Sequence, residues 1–205
     1  MPAGPVAVVS CHVERPLDDD AWRRFDALQR RRPGGFDVIA LIRPPDPEHG
    51  EDEARWLERA RTAAARAPLG LHTHWTSPTH ARPTDGDPAE RVRSEVAWMR
   101  ERGLEPAFFC GGGWYTDVAV REAVSGLGLV DCTPRVGFPS AGVLPTTHSL
   151  GRLARGVLRP LPAYIHAYFH DYDLLDVKRR LALTASLQLL GRRRARMILP
   201  SPQAP

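Results

Sequence analysis

Short apolar runs alternate with amphipathic stretches along the whole chain, and this alternation limits the possible folds more than any other feature of the sequence. The apolar runs are rich in β-branched and aromatic residues, which predicts strands, whereas the stretches between them favour helices. The predicted strands are residues 6–11, 36–42, 69–74, 106–110, 127–132 and 163–170. The predicted helices are residues 19–31, 51–66, 88–103, 117–125, 149–158 and 175–190. Such alternation is typical of an α/β protein with a parallel sheet.

The length and composition of the chain favour one core. At 205 residues, 42% of them hydrophobic, we expect a single domain over residues 1–205. No apolar run approaches the roughly 18 residues that a membrane span needs, and residues 1–11 lack the basic and long apolar regions of a signal peptide. The cysteines, Cys11, Cys110 and Cys132, are odd in number and far apart, which argues against a disulfide framework. We therefore expect a cytoplasmic protein.

The net charge of +4 raises the question of a polyanionic partner. Most arginines are spread along predicted helix faces. The dense runs at residues 30–32 and 192–196 lie near the C-terminal ends of predicted helices, where cations stabilise the helix dipole. No aromatic or glycine-rich recognition pattern is interleaved with these runs. We therefore expect no nucleic-acid partner.

Residues 69–83, LGLHTHWTSPTHARP, hold three of the eight histidines at a point where a predicted strand enters a loop. Side chains alternate faces along a strand, so His72 and His74 point to the same side. His80 can fold back toward them over the loop. Because neutral imidazole is a good ligand for first-row divalent metals, the segment predicts a metal or catalytic site.

Further reactive side chains follow the ends of other predicted strands. They are Cys11, His12, Glu14, Cys110, Asp131, Cys132 and His170. The alternation alone allows a barrel or a doubly wound sheet, and in barrels the working residues lie at these strand ends. A doubly wound nucleotide fold requires a glycine-rich loop after its first strand, and HVERPL at residues 12–17 is not one. The glycines at 111–113 lack the spacing and the lysine of a phosphate-binding loop.

The combination of residue types indicates hydrolytic chemistry. A metal held by one carboxylate and two imidazoles keeps open positions for water and substrate. A separate histidine can protonate a leaving group. The chain offers Glu14 as the carboxylate, the histidines of residues 69–83 as imidazoles, and His170 as the separate histidine.

Four segments in order also resemble the polysaccharide deacetylase (NodB-homology) family of metal-dependent carbohydrate esterases. They are SCHVE, GLHTH, FFCGGGWYTDVAVREAVSGLGLVDCT and YIHAYFHDYDLLD. The resemblance covers most of the chain. It implies an α/β fold that is a distorted, incomplete (β/α) barrel with about six or seven mostly parallel strands.

The resemblance also implies a divalent metal, most often zinc, and removal of an N-acetyl or O-acetyl group from a sugar. By position, Glu14 would be the metal carboxylate and two of His72, His74 and His80 the imidazole ligands. His170 would be the general acid, oriented by Asp173 or by Asp171.

The chain departs from the family pattern at three points. The base aspartate of the family falls at or beside His12, which would then act as the base or as an additional ligand. The arginine that pairs with this aspartate in the family aligns with Cys110. The two family histidines lie four residues apart, whereas the three here leave the ligand pair open.

Two functions follow from the sequence. The first is a metal-dependent hydrolase whose substrate is an acetylated sugar or a glycosylated small molecule. In this hypothesis Trp75, Trp114 and Tyr115 stack on a sugar ring or pack in the core, and amides of the loop containing Gly112 and Gly113 stabilise the oxyanion. The alternative is a catalytically degenerate protein of the same fold that binds a carbohydrate or a partner protein. The sequence gives no indication of the oligomeric state.

Overall fold

Eight strands form one sheet in the computed structural model, which describes residues 5–197 and 199. The strands are β1 (Val6–Val13), β2 (Val38–Ile42), β3 (Leu69–Thr73), β4 (Phe108–Gly111), β5 (Val130–Asp131), β6 (His148–Ser149), β7 (Tyr164–His170) and β8 (Ala195–Arg196). Seven of them follow the order β5-β4-β3-β2-β1-β7-β6, and β8 pairs with the start of β1. All pairings between these strands are parallel.

Six α-helices connect the strands within the described part of the chain. They are α1 (Asp19–Arg31), α2 (Glu53–Ala64), α3 (Pro88–Glu101), α4 (Val118–Gly126), α5 (Leu150–Gly156) and α6 (Val177–Arg193). Each begins after an aspartate or serine whose side chain accepts a backbone N–H of the first turn. Such caps satisfy N–H groups that have no partner inside the helix, which explains why the helix starts follow the sequence closely.

The sheet curves into a half-barrel, so the predicted distorted, incomplete (β/α) barrel is confirmed. An irregular segment rather than a regular strand spans the gap between β5 and β7. The N–H of Leu144 donates to the carbonyl of Asp131 at 2.8 Å, and the N–H of Thr147 donates to the carbonyl of His166 at 3.0 Å. This segment falls within the proline- and glycine-rich region before α5.

Alternation along each strand divides the buried side chains into two cores. Odd-numbered residues of β1, such as Val9 and Cys11, pack outward against the helices in the larger core. Val8 points into the barrel, where it packs with Ile39 and Phe108 in a smaller core. The same parity directs the later even-numbered residues of β1 and β7 toward the mouth of the barrel.

The strand boundaries differ from the prediction mainly at the short strands. β1 continues two residues further than predicted, which keeps His12 within the strand. β6 and β8 contain only two residues each, too few for a periodic pattern, and the sequence did not predict them. Among the described residues, no helix combines the length and the apolar character needed to cross a bilayer.

One histidine forms a buried polar contact inside the barrel. His166 is fully buried, its Nδ1–H donates to the carbonyl of Leu144 at 2.7 Å, and its Nε2 accepts from the hydroxyl of Ser10 at 2.8 Å. Burial lowers the pKa of His166 to about 4, and the Leu144 hydrogen bond offsets part of this shift. This histidine is a structural core residue.

Because burial of His166 disfavours its protonation, the free energy of unfolding should decrease as the pH is lowered. The unfolded chain takes up a proton below a pKa of about 6.5 while the folded chain excludes it down to about 4, so this contribution is complete above pH 6.5 and declines as the pH drops. Between pH 7 and pH 5 we expect a loss of about 2 kcal/mol in the free energy of unfolding from this residue. Urea denaturation of wild type and His166→Gln at both pH values measures the difference. The exposed-residue control, His80→Gln, should keep the wild-type slope, and an identical slope in His166→Gln would contradict the assignment.

Candidate metal centre

Glu14 is the first residue after β1, and its backbone is held by a hydrogen bond from Arg43, the first residue after β2. The buried Arg43 donates through Nε to the carbonyl oxygen of Glu14 at 3.2 Å. Two further nitrogens of Arg43 bind both carboxylate oxygens of Glu51, at 2.8 and 2.5 Å. This bidentate pair holds the guanidinium in one orientation, so the Glu14 side chain starts from a defined position at the barrel mouth.

His72 and His74 approach Glu14 from the end of β3. Because alternate residues share a face, both side chains turn toward the barrel mouth. The Nδ1–H of His72 donates to the carbonyl of Cys110 at 2.9 Å, and that of His74 donates to the carbonyl of Pro78 at 2.9 Å. A carbonyl can only accept, so in each neutral ring the proton lies on Nδ1 and the lone pair on Nε2.

The two Nε2 atoms converge on one carboxylate oxygen. Oε1 of Glu14 lies 3.6 Å from Nε2 of His72 and 3.8 Å from Nε2 of His74. Both nitrogens are buried and have no hydrogen-bond partner among the described residues. The ligand atoms of the three residues all lie within 4.8 Å of one another, which makes this the group of described residues suited to hold a metal ion.

The electrostatics of the group also fit a divalent cation. Burial by itself raises the pKa of Glu14, but His72 and His74 outweigh burial and lower that pKa well below its usual range. Burial is the main cause of a lowered pKa at His72. An ionised carboxylate and two imidazole lone pairs form a donor set that zinc accepts, and an ion between them would satisfy both unpartnered nitrogens.

His80 lies apart from this group. It is exposed, and its backbone forms a tight turn with Ser77. The structure brings His72 and His74, but not the predicted His80, together with Glu14.

His12 lies under the group, inside a stack of rings. Its ring stacks on that of His72, with centroids 4.6 Å apart, and on that of Tyr168 at 5.4 Å. Its Nε2 is buried and has no hydrogen-bond partner within the described part of the chain. Burial first, then the neighbouring His72 and His170, lowers the pKa of His12 well below its ordinary value. The ring is therefore neutral at neutral pH.

His170 faces Glu14 from the end of β7. Its Nε2 lies 3.6 Å from Oε1 of Glu14, and its Nδ1 lies 3.7 Å from Oδ2 of Asp173. Asp173 is fixed by the His170 backbone N–H at 3.0 Å and by Arg179 at 2.8 Å. Asp171 instead turns away and accepts the backbone N–H of Arg15 at 2.8 Å. Asp173 is thus the carboxylate positioned to orient His170.

The predicted sugar-binding residues separate into two groups. Trp75 is buried, its Nε1–H donates to the carbonyl of Gly112 at 3.1 Å, and the ring of Tyr115 packs edge-on against it. These contacts place Trp75 in the core, which was one of the two roles considered for it from the sequence. Tyr115 is half-buried and its hydroxyl donates to Asp117 at 2.8 Å. Gly112 is required by packing, because a Cβ there would lie 2.4 Å from the carbonyl oxygen of Thr73.

Trp114 is the predicted sugar-binding residue that reaches the mouth. It has a positive φ of 61°, which is rare for a residue other than glycine, and 37% of its side chain is exposed. The adjoining Gly113 also has a positive φ, of 58°. The indole contacts the rings of His12 and Tyr168, with centroids 5.2 and 5.0 Å away.

Two aromatic residues of the site were not predicted from the sequence. Tyr168 packs between His12 and Trp114, and Tyr172 stacks on His170 with centroids 4.8 Å apart. Tyr168 lies two residues before His170 on β7, so strand alternation alone could have placed it on the site face. Tyr172 follows the strand in a 3-10 turn, for which the sequence carries no comparable signal.

The fold has solved counterparts, although neither known family models nor curated proteins match the chain. A family 4 carbohydrate esterase from Streptomyces lividans, in complex with acetate, has a TM-score of 0.58 at 13% identity, covering 98% of this chain and 95% of that one. A family 4 (CE4) pseudoenzyme from Bacillus anthracis has a TM-score of 0.58 at 12% identity, covering 96% of this chain. This chain spans 64% of that protein's length.

A 4-alpha-glucanotransferase from Thermococcus litoralis has the same TM-score of 0.58, at 12% identity, with 93% of this chain and 37% of that chain covered. The likeness is therefore to a fold that carries different activities. A variant of the Bacillus pseudoenzyme with restored enzymatic activity is similar to the same degree, with a TM-score of 0.58 at 12% identity, covering 96% of this chain and 66% of that one.

Zinc binding should depend on the two convergent histidines. We expect His72→Ala and His74→Ala each to weaken zinc binding by at least about a hundredfold. Each removes a nitrogen that would bind the ion directly, and even residues that only hydrogen-bond to metal ligands contribute about ten- to a hundredfold. Competition with a chromophoric chelator measures the affinity. His80→Ala is the matched control and should bind zinc as the wild type does. An equal loss in all three variants would contradict the site.

Proposed function

We propose that the protein is a metal-dependent hydrolase that removes an acetyl group, bound through nitrogen or oxygen, from a sugar or a glycosylated small molecule. The observation that carries this proposal is the convergence of Nε2 of His72, Nε2 of His74 and a carboxylate oxygen of Glu14 within 4.8 Å, with both nitrogens unpartnered. A divalent metal, for which zinc fits the donor set best, would supply Lewis-acid activation of water and of the acyl carbonyl.

The chain offers a proton acceptor and a proton donor on neighbouring strands. His12, near the end of β1, is the proposed base and offers its unpartnered Nε2 to a proton. His170, at the end of β7, can donate its proton to the leaving amine or alcohol. Asp173 lies beside Nδ1 of His170, 3.7 Å away, where it can orient the ring. The register pairs His12 directly with His170, so the two rings face one space.

Trp114 is the residue proposed to contact the sugar. Its exposed indole lies beside the rings of His12 and Tyr168, so a sugar ring packed on it would sit next to the proposed acid and base. The esterase from Streptomyces lividans, whose structure contains acetate, supports an acetyl group as the acyl part.

A second candidate is a catalytically degenerate protein that binds a carbohydrate or a partner protein. Two residues favour it. His12 is buried and occupies the position where the resemblance implies a base aspartate, and Cys110, where the resemblance implies an arginine, is buried. A family 4 pseudoenzyme with the same degree of structural likeness shows that this fold also exists without activity.

Acetate release separates the two candidates. We expect zinc-loaded protein to release acetate from N-acetylated or O-acetylated oligosaccharides, the metal-free protein to release none, and Glu14→Gln to lose at least about a hundredfold in kcat/KM. The measurement is an enzyme-coupled acetate assay. Glu48→Gln, which alters an exposed acidic residue, should retain the wild-type rate.

The same assay applied to His12→Gln tests the proposed base. The substitution removes the proposed base, so kcat should fall by about a hundredfold or more while zinc affinity stays near the wild-type value. Wild-type protein that binds zinc but releases no acetate from any of these substrates would favour the degenerate protein instead.

A further inference from the structure

A cavity of about 480 Å³ opens beside the metal centre. Glu14 and His74 form part of its wall, so a ligand in the cavity would touch the same side chains that hold the metal. The other charged side chains that line the cavity are Arg15, Asp18, Arg43 and Glu51. Its size is comparable to that of a small-molecule site.

Most of these charges are already balanced within the protein. Arg43 and Glu51 form the bidentate pair, and Glu51 also accepts the backbone N–H of Asp46 at 2.8 Å. Asp18 caps α1 and accepts the N–H of Asp20 at 2.9 Å. Glu14 faces the imidazoles of the metal centre.

Arg15 is the exception among the charged groups of the cavity. Its backbone N–H is bonded to Asp171, but its guanidinium forms no hydrogen bond or ion pair with any residue between 5 and 197 or with residue 199. A charge at the wall of a pocket, next in sequence to a proposed metal ligand, is therefore free to bind a ligand of opposite sign.

The guanidinium is nevertheless held in place by a neighbouring ring. Its Cζ lies 5.4 Å from the ring centroid of Tyr172, within the range of a cation–π contact. Tyr172 in turn stacks on His170, with ring planes 10° apart. The stack therefore links Arg15 to the proposed general acid, and it leaves the donors of the guanidinium available at its edge.

We propose that Arg15 binds an anionic group, a carboxylate or a phosphate, on the molecule that enters the metal centre. The planar fork of an arginine matches either group with two parallel hydrogen bonds. This inference rests on the proposed function for the identity of the acyl sugar and adds that the sugar is acidic. Arg15 is then a specificity residue that contacts the substrate away from the acyl group.

Binding of a matched pair of acetylated sugars tests the proposal. N-acetylglucosamine and N-acetylglucosamine 6-phosphate differ only in the phosphate, and N-acetylglucosaminuronic acid carries a carboxylate instead. Isothermal titration of the zinc-loaded wild type should show about tenfold or stronger preference for a charged sugar, because a hydrogen bond to a charged group contributes that much. Tighter binding of both charged sugars than of N-acetylglucosamine indicates a site for anions in general. Tighter binding of only one of them identifies its anionic group as the one that Arg15 binds.

Variants at Arg15 show whether this residue causes the preference for a charged sugar. Arg15→Gln should remove the preference and leave binding of N-acetylglucosamine unchanged, Arg15→Lys should retain part of it, and Arg23→Gln, an exposed arginine on α1, should retain all of it. A preference that persists in Arg15→Gln would come from the zinc itself and would overturn the inference.

The result also separates this inference from the proposed function. Zinc-dependent acetate release with no Arg15-dependent preference would support the proposed hydrolase and contradict the anion site. An Arg15-dependent preference without acetate release would support the anion site and contradict the hydrolase.

Discussion

The site depends on two backbone carbonyls, those of Cys110 and Pro78, which bind the Nδ1–H groups of His72 and His74. Each of these hydrogen bonds fixes both the tautomer and the orientation of a ring, so both Nε2 lone pairs point at one carboxylate. The orientation of both imidazole rings therefore follows from the geometry of the backbone. The parallel register that pairs His72 with Cys110 supplies the first, and the tight turn after β3 supplies the second. Without an ion, the buried nitrogens would have no partner, which costs about 1–3 kcal/mol for each buried polar group.

The barrel architecture brings the remaining chemistry to the same place. Parallel strands end at one edge, and the register aligns His12 of β1 with His170 of β7. Alternation sends the intervening residues outward to the helix core, so the inward positions remain for a continuous stack of His72, His12, Tyr168 and Trp114. The stack explains how a histidine can occupy this buried position. Ring contacts surround the imidazole, and burial keeps it neutral.

The sequence predicts the elements of this protein that have a periodic pattern. Apolar runs and helix caps identify the long strands and the helices, and face alternation identifies His72 and His74 as neighbours. It does not predict contacts set by turns: His80 is six residues from His74, yet a turn at Ser77 directs it into solvent. The sequence also left two roles open for Trp75, because the bond of its indole to the carbonyl of Gly112 joins residues that lie 37 apart in sequence. β6 and β8 are too short to show a period, and they form because neighbouring strands offer free backbone groups. Tyr168 was missed although its spacing from His170 placed it on the correct face.

We propose that Glu14, His72 and His74 form one metal site whose ligands are a carboxylate and two imidazoles. X-ray absorption spectroscopy at the zinc edge of the loaded protein identifies the ligand atoms around the ion. We expect a shell of nitrogen and oxygen with the outer-shell scattering of two imidazoles and no sulfur. A zinc–sulfur distance near 2.3 Å, which would indicate a cysteine ligand, or imidazole scattering that is unchanged in a protein lacking both His72 and His74, would contradict it.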